Sequence, residues 1–197
     1  MTDNNHLSFI KQSITQSIEL KKQLLQDAEL LDNISSVSNQ LIEIFKRGNR
    51  LLIAGNGGSA ADAQHIAAEF VCRFNFERPG LPALALATNY SVITAAGNDY
   101  CFDDVFAREV EANGREGDLF IGISTSGNST NILKAVDACQ AKGILSVGLT
   151  GADGALQQQA ELCLKVPSQQ TPRIQECHIL IGHILCEIVE NHLFARL

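Results

Sequence analysis

Apolar side chains in the first fifty residues recur at helical spacing. They form two stripes, namely Leu7, Ile10, Ile14 and Ile18, then Ile34, Val37, Leu41 and Phe45. The pattern predicts two helices, with Asp32 and Asn33 capping the second helix and Gly48 ending it. Because residues 1–48 contain no strand of their own, we expect them to pack on a later core or to pair with their counterpart in another subunit.

From residue 50 onward the pattern changes to short, almost continuous apolar runs separated by stretches of helical period. The runs occupy residues 51–54, 84–87, 119–123, 145–149 and 162–166. Such runs, flanked by glycine and proline, are typical of strands buried on both faces. Their alternation with helices predicts an α/β fold, a five-stranded parallel sheet flanked by helices, in one domain spanning residues 1–197. A last helix is predicted after Pro172.

Composition and charge narrow the functional classes. Of the 197 residues, 45% are hydrophobic and 19% are charged, which indicates a globular chain and not a disordered one. The net charge of -7 and the absence of tryptophan disfavour nucleic-acid binding. We expect neither a secretory signal nor a membrane span. Six scattered cysteines without a CxxC pair indicate buried thiols in a reducing cytoplasm.

Two loops that follow predicted strands contain residues suited to ligand binding, and ligands of parallel α/β sheets bind beyond the carboxyl ends of strands. Residues 55–58, Gly-Asn-Gly-Gly, permit close backbone approach before a helix whose free N–H groups can hold an anion or a sugar oxygen. Residues 124–130 contain five hydroxyl side chains and no charge, and can surround a phosphate with donors. Neither loop matches a nucleotide-binding motif, so we expect no nucleotide or redox cofactor. An ordinary turn and an ordinary helix cap are the alternatives.

Five further polar residues could contribute to chemistry. His65 and Glu69, four residues apart, share one face of a predicted helix and could be a base with its partner, metal ligands or an ordinary surface pair. His183 lies on the polar side of the last helix, where a solvated face is the alternative. Asn98 and Asp99 follow the second predicted strand and could bond vicinal hydroxyls or form a turn.

Together, these motifs resemble those of the phosphoheptose isomerases in the sugar isomerase (SIS) domain family. The motifs that carry the resemblance are, in order, residues 55–59 with His65 and Glu69, residues 97–99, residues 122–129, and residues 173–176 with His183. The resemblance covers essentially the whole chain. It implies a flavodoxin-like three-layer sandwich with an N-terminal helical segment. It also implies a cytoplasmic homotetramer with active sites between subunits.

The activity implied by the resemblance is conversion of sedoheptulose 7-phosphate to D-glycero-D-manno-heptose 7-phosphate, an early step toward ADP-heptose and the core of bacterial lipopolysaccharide. Proton transfer would belong to Glu69 and His183. Four hydroxyls would hold the phosphate, those of Ser124, Thr125, Ser126 and Ser129. Six residues would contact the sugar, namely Asn56, Gly57, Gly58, Asn98, Asp99 and Gln175. A carboxylate and an imidazole suit enediol chemistry, which needs a base at carbon and an acid at oxygen.

The resemblance extends to a zinc ion, one per subunit, because some members of the family hold zinc through residues matching His65, Glu69, Gln175 and His183. The neutral amide of Gln175 makes this a weak ligand set by type. Gln175 and His183 also lie about 12 Å apart along one helix. That spacing favours a composite site in which the terminal helix serves a neighbouring subunit.

A non-enzymatic SIS tetramer that binds the replication initiator DnaA is the alternative. That relative lacks the acid and the histidine at the positions of Glu69 and His183, and both are present here, so the enzyme is favoured. One departure from the family pattern lies in residues 87–90, where Asn89 stands in place of a more usual acid. This departure bears on the identity of the substrate more than on the class of reaction.

Overall fold

A computed structural model describes residues 3–195, which form eight α-helices and five β-strands. The helices are α1 (Asp3–Gln26), α2 (Ala28–Lys46), α3 (Gly58–Val71), α4 (Tyr90–Asp99), α5 (Val105–Asn113), α6 (Thr130–Lys142), α7 (Leu156–Gln159) and α8 (Thr171–Phe194). The strands are β1 (Leu51–Gly55), β2 (Ala83–Ala85), β3 (Leu119–Ser124), β4 (Leu145–Thr150) and β5 (Leu162–Lys165). No helix in this range is both long enough and apolar enough to cross a membrane.

The strands form one parallel sheet in the order β2-β1-β3-β4-β5. The direction of winding reverses between β1 and β3, and open α/β sheets bind ligands at such a switch point, beyond the carboxyl ends of the strands. Gly55 pairs with Ile123, so β1 and β3 end side by side. The fold therefore places the loops after β1 and β3 next to each other, at the carboxyl ends of the strands.

Two apolar clusters cover the two faces of the sheet. Leu51 and Ile53 join the cluster formed with α1, α2, α3 and α8, whereas Leu52 and Ala54 join the cluster formed with α4 to α7. Successive side chains of a strand point to opposite faces, and every residue of β1 is buried. Burial on both faces explains the continuous apolar runs in the sequence. The predicted five-stranded parallel sheet in a three-layer sandwich is confirmed.

The junction of the first two helices lies earlier than the sequence pattern predicted. Asp32 and Asn33 lie inside α2, so their predicted role as caps is wrong. The N-cap is Asp27, whose carboxylate accepts a hydrogen bond from the Leu30 N–H at 3.0 Å. The break is one residue long and Leu24 and Leu30 are both buried across it, so apolar periodicity alone does not locate it.

The apolar stripe of α1 is exposed in the single chain. Leu7, Ile10 and Ile14 are 52%, 52% and 56% exposed. The stripe of α2 is buried in the core instead. The sequence left open whether these helices pack on the core or pair with another subunit. α2 packs on the core, while α1 presents an apolar face outward.

The six cysteines are free thiols. Cys139, Cys177 and Cys186 are buried as predicted, and burial raises the pKa of Cys139 and of Cys186 to about 12. Cys72 and Cys101 are exposed, because they lie in the segments that follow α3 and α4 and not in the core. The prediction of six buried thiols is therefore wrong for these two, and Cys163 is only partly buried.

Candidate active site

The turn after β1 directs the N-terminus of α3 toward the switch point. Gly57 is the N-cap of α3 and has a φ of 57°, a conformation that favours glycine. Gly55 has no room for a side chain, because a Cβ there would lie 2.5 Å from the Ser59 carbonyl oxygen. The first N–H groups of a helix have no intrahelical partner. They can therefore bind a sugar oxygen or an anion at this turn.

A pair of amides joins this turn to α6. Asn56 and Asn131 exchange two side-chain hydrogen bonds of 2.9 Å, one in each direction. Asn131 is 3% exposed. The pair holds the loops after β1 and β3 in one arrangement, and it occupies the side chain of Asn56, which leaves the backbone of that residue for a ligand. Sequence reasoning missed Asn131, because an amide in the first turn of a helix is typical of an ordinary cap.

Residues 124–130, which we call the hydroxyl loop, bring three serine side chains together. Ser124 is buried, and its Oγ lies 2.9 Å from Ser129 Oγ and 3.5 Å from Ser126 Oγ. Ser129 is the N-cap of α6, yet its side chain makes no capping hydrogen bond. The hydroxyls therefore converge in front of the N-terminus of a 13-residue helix, where the helix dipole favours a negative charge.

The hydroxyl loop packs against the loop that follows β4. Gly127 has a φ of 66°, and a Cβ on it would lie 2.5 Å from the Asp153 carbonyl oxygen. Thr125 and Ser126 line a cleft of about 140 Å³ between the two loops. Since residues 124–130 carry no charged side chain, hydroxyls and N–H groups are the donors that this loop offers. Such a set can bind a phosphate monoester.

His65, Glu69 and His183, which we call the proton-transfer cluster, meet between α3 and α8. Their ligand atoms all lie within 4.8 Å of one another. His65 Nε2 is 3.1 Å from Glu69 Oε1, as expected one helical turn apart. The rings of His65 and His183 pack edge to face with centroids 5.1 Å apart. The predicted carboxylate and imidazole thus come together within one chain.

Two residues that the sequence did not single out surround this cluster. The ring of Phe74 lies 5.5 Å from that of His183, centroid to centroid. Burial raises the pKa of Asp62, which lies one turn before His65 on α3, and the two histidines act in the opposite direction when they are protonated. Asp62 Oδ2 is buried and has no hydrogen-bond partner among the described residues. Asp62 lies three residues before His65, and this spacing, which places both on one face of the helix, could have indicated it from the sequence.

Gln175 lies at the other end of the contact between α8 and α3. A Cβ on Gly58 would lie 2.6 Å from Gln175 Nε2, so the absence of a side chain at Gly58 gives the amide its place. His183, further along α8, contacts His65 instead. The predicted separation of Gln175 and His183 along the helix is therefore reflected in the different parts of α3 that they touch.

The remaining predicted residues lie on α4 or at its start. Asn98 and Asp99 are exposed at the end of α4, where Asn98 Nδ2 donates to Asp99 Oδ1 at 2.8 Å. Asn89 is the N-cap of α4, and its side chain accepts a hydrogen bond from the Ser91 N–H at 3.0 Å. Asparagine and aspartate are equally good N-caps. The departure at residue 89 therefore preserves the start of this helix.

The proton-transfer cluster also fits a zinc ion. Two imidazoles and one carboxylate form a catalytic zinc set with an open fourth position. Bonds of about 2.1 Å in a tetrahedron separate ligand atoms by about 3.4 Å. The three ligand atoms all lie within 4.8 Å of one another, which is close to that spacing.

Comparison with known proteins identifies the family. The SIS domain family model matches residues 15–151. A phosphoheptose isomerase from Aneurinibacillus thermoaerophilus is 58% identical over 189 residues, which cover 95% of this chain and 96% of the relative. The chain belongs to the phosphoheptose isomerase family. Another member of the family, from Campylobacter jejuni, is 56% identical over 96% of this chain and 94% of its own length.

A solved structure agrees with this membership of the phosphoheptose isomerase family. A phosphoheptose isomerase from Francisella tularensis superposes with a TM-score of 0.90 at 37% identity, over 97% of this chain and 100% of that chain. The resemblance inferred from the sequence motifs is confirmed, and the chain is a sugar-phosphate isomerase.

Proposed function

We propose that the chain interconverts sedoheptulose 7-phosphate and D-glycero-D-manno-heptose 7-phosphate through an enediol. The observation that carries the proposal is the meeting of Glu69 and His183 in a chain that also presents an uncharged, donor-rich loop. The substrate has a phosphate at one end and its reacting carbons at the other. A hydroxyl loop and a proton-transfer cluster suit these two ends.

The hydroxyl loop would bind the phosphate. The donors are backbone N–H groups at the start of α6 and four hydroxyls, those of Ser124, Thr125, Ser126 and Ser129. Hydrogen bonds to a charged acceptor are stronger than those to a neutral one, and the helix dipole adds to the attraction. The loop can therefore hold a phosphate without lysine or arginine.

Glu69 and His183 would move the protons. Glu69 takes a proton from C-1 of the ketose, and that electron pair forms the C-1 to C-2 double bond of the enediol while His183 gives a proton to O-2. Glu69 then returns the proton to C-2, and His183 takes one from O-1. The net result moves one hydrogen from C-1 to C-2 and one from O-1 to O-2. Both residues return to their starting state.

The sugar between these ends would meet polar groups at the switch point. The candidate contacts are Asn56, Gly57, Gly58, Asn98, Asp99 and Gln175. The backbone is open to close approach at Gly57, where no atom would lie within 4 Å of a Cβ, and the Gln175 amide lies against Gly58. These groups suit hydroxyls, since each offers an N–H donor or an oxygen acceptor.

Each active site would combine two subunits. Glu69 lies eleven residues beyond Gly58, which is about 16 Å along the axis of α3. Seven carbons joined by bonds of about 1.5 Å cannot extend a sugar phosphate much beyond about 10 Å. One substrate therefore reaches the hydroxyl loop of one chain and the proton-transfer cluster of another more readily than both in the same chain. The exposed apolar stripe of α1 supports assembly, which we propose is a cytoplasmic homotetramer.

A zinc ion would be held by His65, Glu69 and His183. Gln175, the further ligand that the resemblance implies, lies against Gly58 in this chain and would have to come from a neighbouring subunit. When bound there, zinc supplies Lewis acidity that polarises a carbonyl. Proton transfer by Glu69 and His183 does not depend on this contribution in our proposal. Chelation followed by readdition of zinc, with metal content and activity measured together, tests whether the ion is required.

The direct test is incubation of the purified chain with sedoheptulose 7-phosphate and identification of the product by NMR. We expect a heptose 7-phosphate aldose, the substrate of a pathway toward ADP-heptose and lipopolysaccharide core, and much slower turnover of fructose 6-phosphate, which lacks the seventh carbon. No turnover of sedoheptulose 7-phosphate would contradict the proposal. Binding to purified DnaA in the absence of turnover would support the non-enzymatic alternative.

A further inference from the structure

A buried ion pair that the reaction above does not use joins the segment after α3 to α8. Arg78 Nε donates to Glu190 Oε1 at 3.1 Å, and the two side chains are 2% and 1% exposed. Burying two charges costs more free energy than their attraction returns unless further hydrogen bonds satisfy them. Both side chains do have further partners, and these are backbone groups close to Glu69 and His183.

Arg78 holds the C-terminal end of α3. Its Nη2 donates to the carbonyl oxygen of Glu69 at 2.7 Å, and its Nη1 donates to the carbonyl oxygen of Phe70. The last carbonyls of a helix lack intrahelical donors, and a positive charge is favoured there by the helix dipole. The guanidinium therefore fixes the backbone from which the Glu69 carboxylate projects.

Glu190 holds the segment that follows α3. Its Oε1 accepts the N–H of Phe74 at 2.8 Å, and its Oε2 accepts the N–H of Asn75 at 2.6 Å. The ring of Phe74 in turn packs on His183, 5.5 Å between centroids. Glu190 lies seven residues after His183 on α8, which is about two turns, so the two side chains share one face of the helix.

We propose that Arg78 and Glu190 are positioning residues that set the separation of Glu69 and His183. The pair links α3 to α8, and it packs Phe74 against the imidazole. A displacement of about 1 Å at a catalytic group can cost about 100-fold in rate, so a rigid link between the two helices matters to the chemistry. The inference rests on the proposed function of Glu69 and His183.

Glu190→Gln tests this role with little change in shape. The amide replaces one carboxylate oxygen by an NH₂ group, which cannot accept the N–H of Phe74 or Asn75, and it removes the charge that faces Arg78. We expect kcat for sedoheptulose 7-phosphate to fall at least tenfold. We expect KM to stay within twofold of wild type, because the hydroxyl loop is untouched.

Asp118→Asn is the matched control. Asp118 is fully buried and accepts the N–H groups of Arg50 at 2.9 Å and Arg115 at 3.0 Å. Asp118 precedes β3, whereas the hydroxyl loop follows it, so the two lie at opposite ends of this strand. We expect this variant to lose thermal stability and keep the wild-type kcat. Equal losses of kcat in the two variants, or a Glu190→Gln kcat within twofold of wild type, would overturn the proposal.

Phe74→Leu tests the positioning of His183 if Glu190→Gln does not fold. It removes the aromatic contact with His183 and leaves the ion pair. A lower kcat at unchanged KM supports the positioning role, and a wild-type kcat overturns it.

The imidazole NMR resonances of His183 give a readout that does not depend on activity. They should shift in Glu190→Gln and stay in place in Asp118→Asn. Unshifted resonances in Glu190→Gln would overturn the positioning role. A wild-type chain without isomerase activity would instead refute the proposed function and leave this measurement valid.

Discussion

The hydroxyl loop and the proton-transfer cluster are built in different ways. The loop takes its donors from seven consecutive residues, and Ser124 Oγ lies 2.9 Å from Ser129 Oγ and 3.5 Å from Ser126 Oγ. The cluster takes its members from α3 and α8, and Glu69 and His183 are more than 100 residues apart in the sequence. Local backbone geometry forms the first, and tertiary packing forms the second. Substrate binding and proton transfer should therefore respond separately to substitution.

Removal of the imidazole from the cluster should have the largest effect. We expect His183→Ala to lower kcat roughly 10²- to 10⁴-fold, the usual contribution of a proton-transfer group, with KM near the wild-type value. His192→Gln changes an exposed histidine near the end of the same helix and should leave kcat unchanged. Steady-state kinetics on the three proteins checks this. A near-normal kcat in His183→Ala would remove the distinction between loop and cluster.

Acid should weaken the docking of α8, the helix that carries His183 of the cluster. His178 is fully buried, and its ring Nε2–H donates to the Thr150 carbonyl oxygen at 3.1 Å. Burial lowers the pKa of His178 from 6.5 to about 4. Between these values the unfolded chain binds a proton that the folded chain excludes, so the free energy of unfolding falls as pH falls, by up to about 3 kcal/mol.

Urea denaturation at a series of pH values from about 7 to about 4.5 measures this dependence. His178→Gln should flatten it, because the amide does not titrate, while His192→Gln should keep the wild-type slope. An unchanged slope in His178→Gln would show that another group is responsible.

Loss of hydroxyls from the hydroxyl loop should have a smaller effect than loss of His183, and it should change substrate binding and not kcat. A hydrogen bond to a charged group contributes about 1.5–3 kcal/mol, so Ser124→Ala combined with Ser129→Ala should raise KM at least tenfold. We expect kcat to change less than threefold. Thr130→Ala removes an exposed hydroxyl from the same loop and serves as the control. A large fall in kcat at unchanged KM would contradict the division between binding and chemistry.

The smallest effect is expected at Gly58 and Gln175, which belong to neither the hydroxyl loop nor the proton-transfer cluster. A Cβ at Gly58 would lie 2.6 Å from Gln175 Nε2, the mobile end of a side chain. Gly58→Ala should therefore displace the amide, raise KM a few-fold and leave the melting temperature almost unchanged. Because the effect passes through Gln175, adding Gly58→Ala to Gln175→Ala should cost nothing further. Additive losses in this double-mutant cycle would show that the new methyl group obstructs the substrate directly and does not act through Gln175.

The sequence predicts the hydroxyl loop better than the surroundings of the proton-transfer cluster, because the loop is local in sequence and the cluster is formed by tertiary packing. Strands buried on both faces leave long apolar runs, so the sheet and the loops at its edge follow directly from the pattern. Asn131, Asp62 and Glu190 matter through partners that are distant in the sequence or hidden by burial, and no local pattern indicates them. Asp27 was missed for the opposite reason, since a one-residue break does not interrupt an apolar stripe. The roles of Glu69 and His183 came from the family resemblance and not from spacing.

Deuterium exchange with Glu69→Gln tests most directly whether this carboxylate removes the proton from carbon. Sedoheptulose 7-phosphate is incubated with wild-type or variant protein in D₂O, and its affinity for each is measured by calorimetry. We predict that the variant binds the substrate within a few-fold of wild type and incorporates deuterium beside the carbonyl at least about 100-fold more slowly. Exchange at the wild-type rate by a variant that binds normally would contradict the assignment of Glu69 as the base.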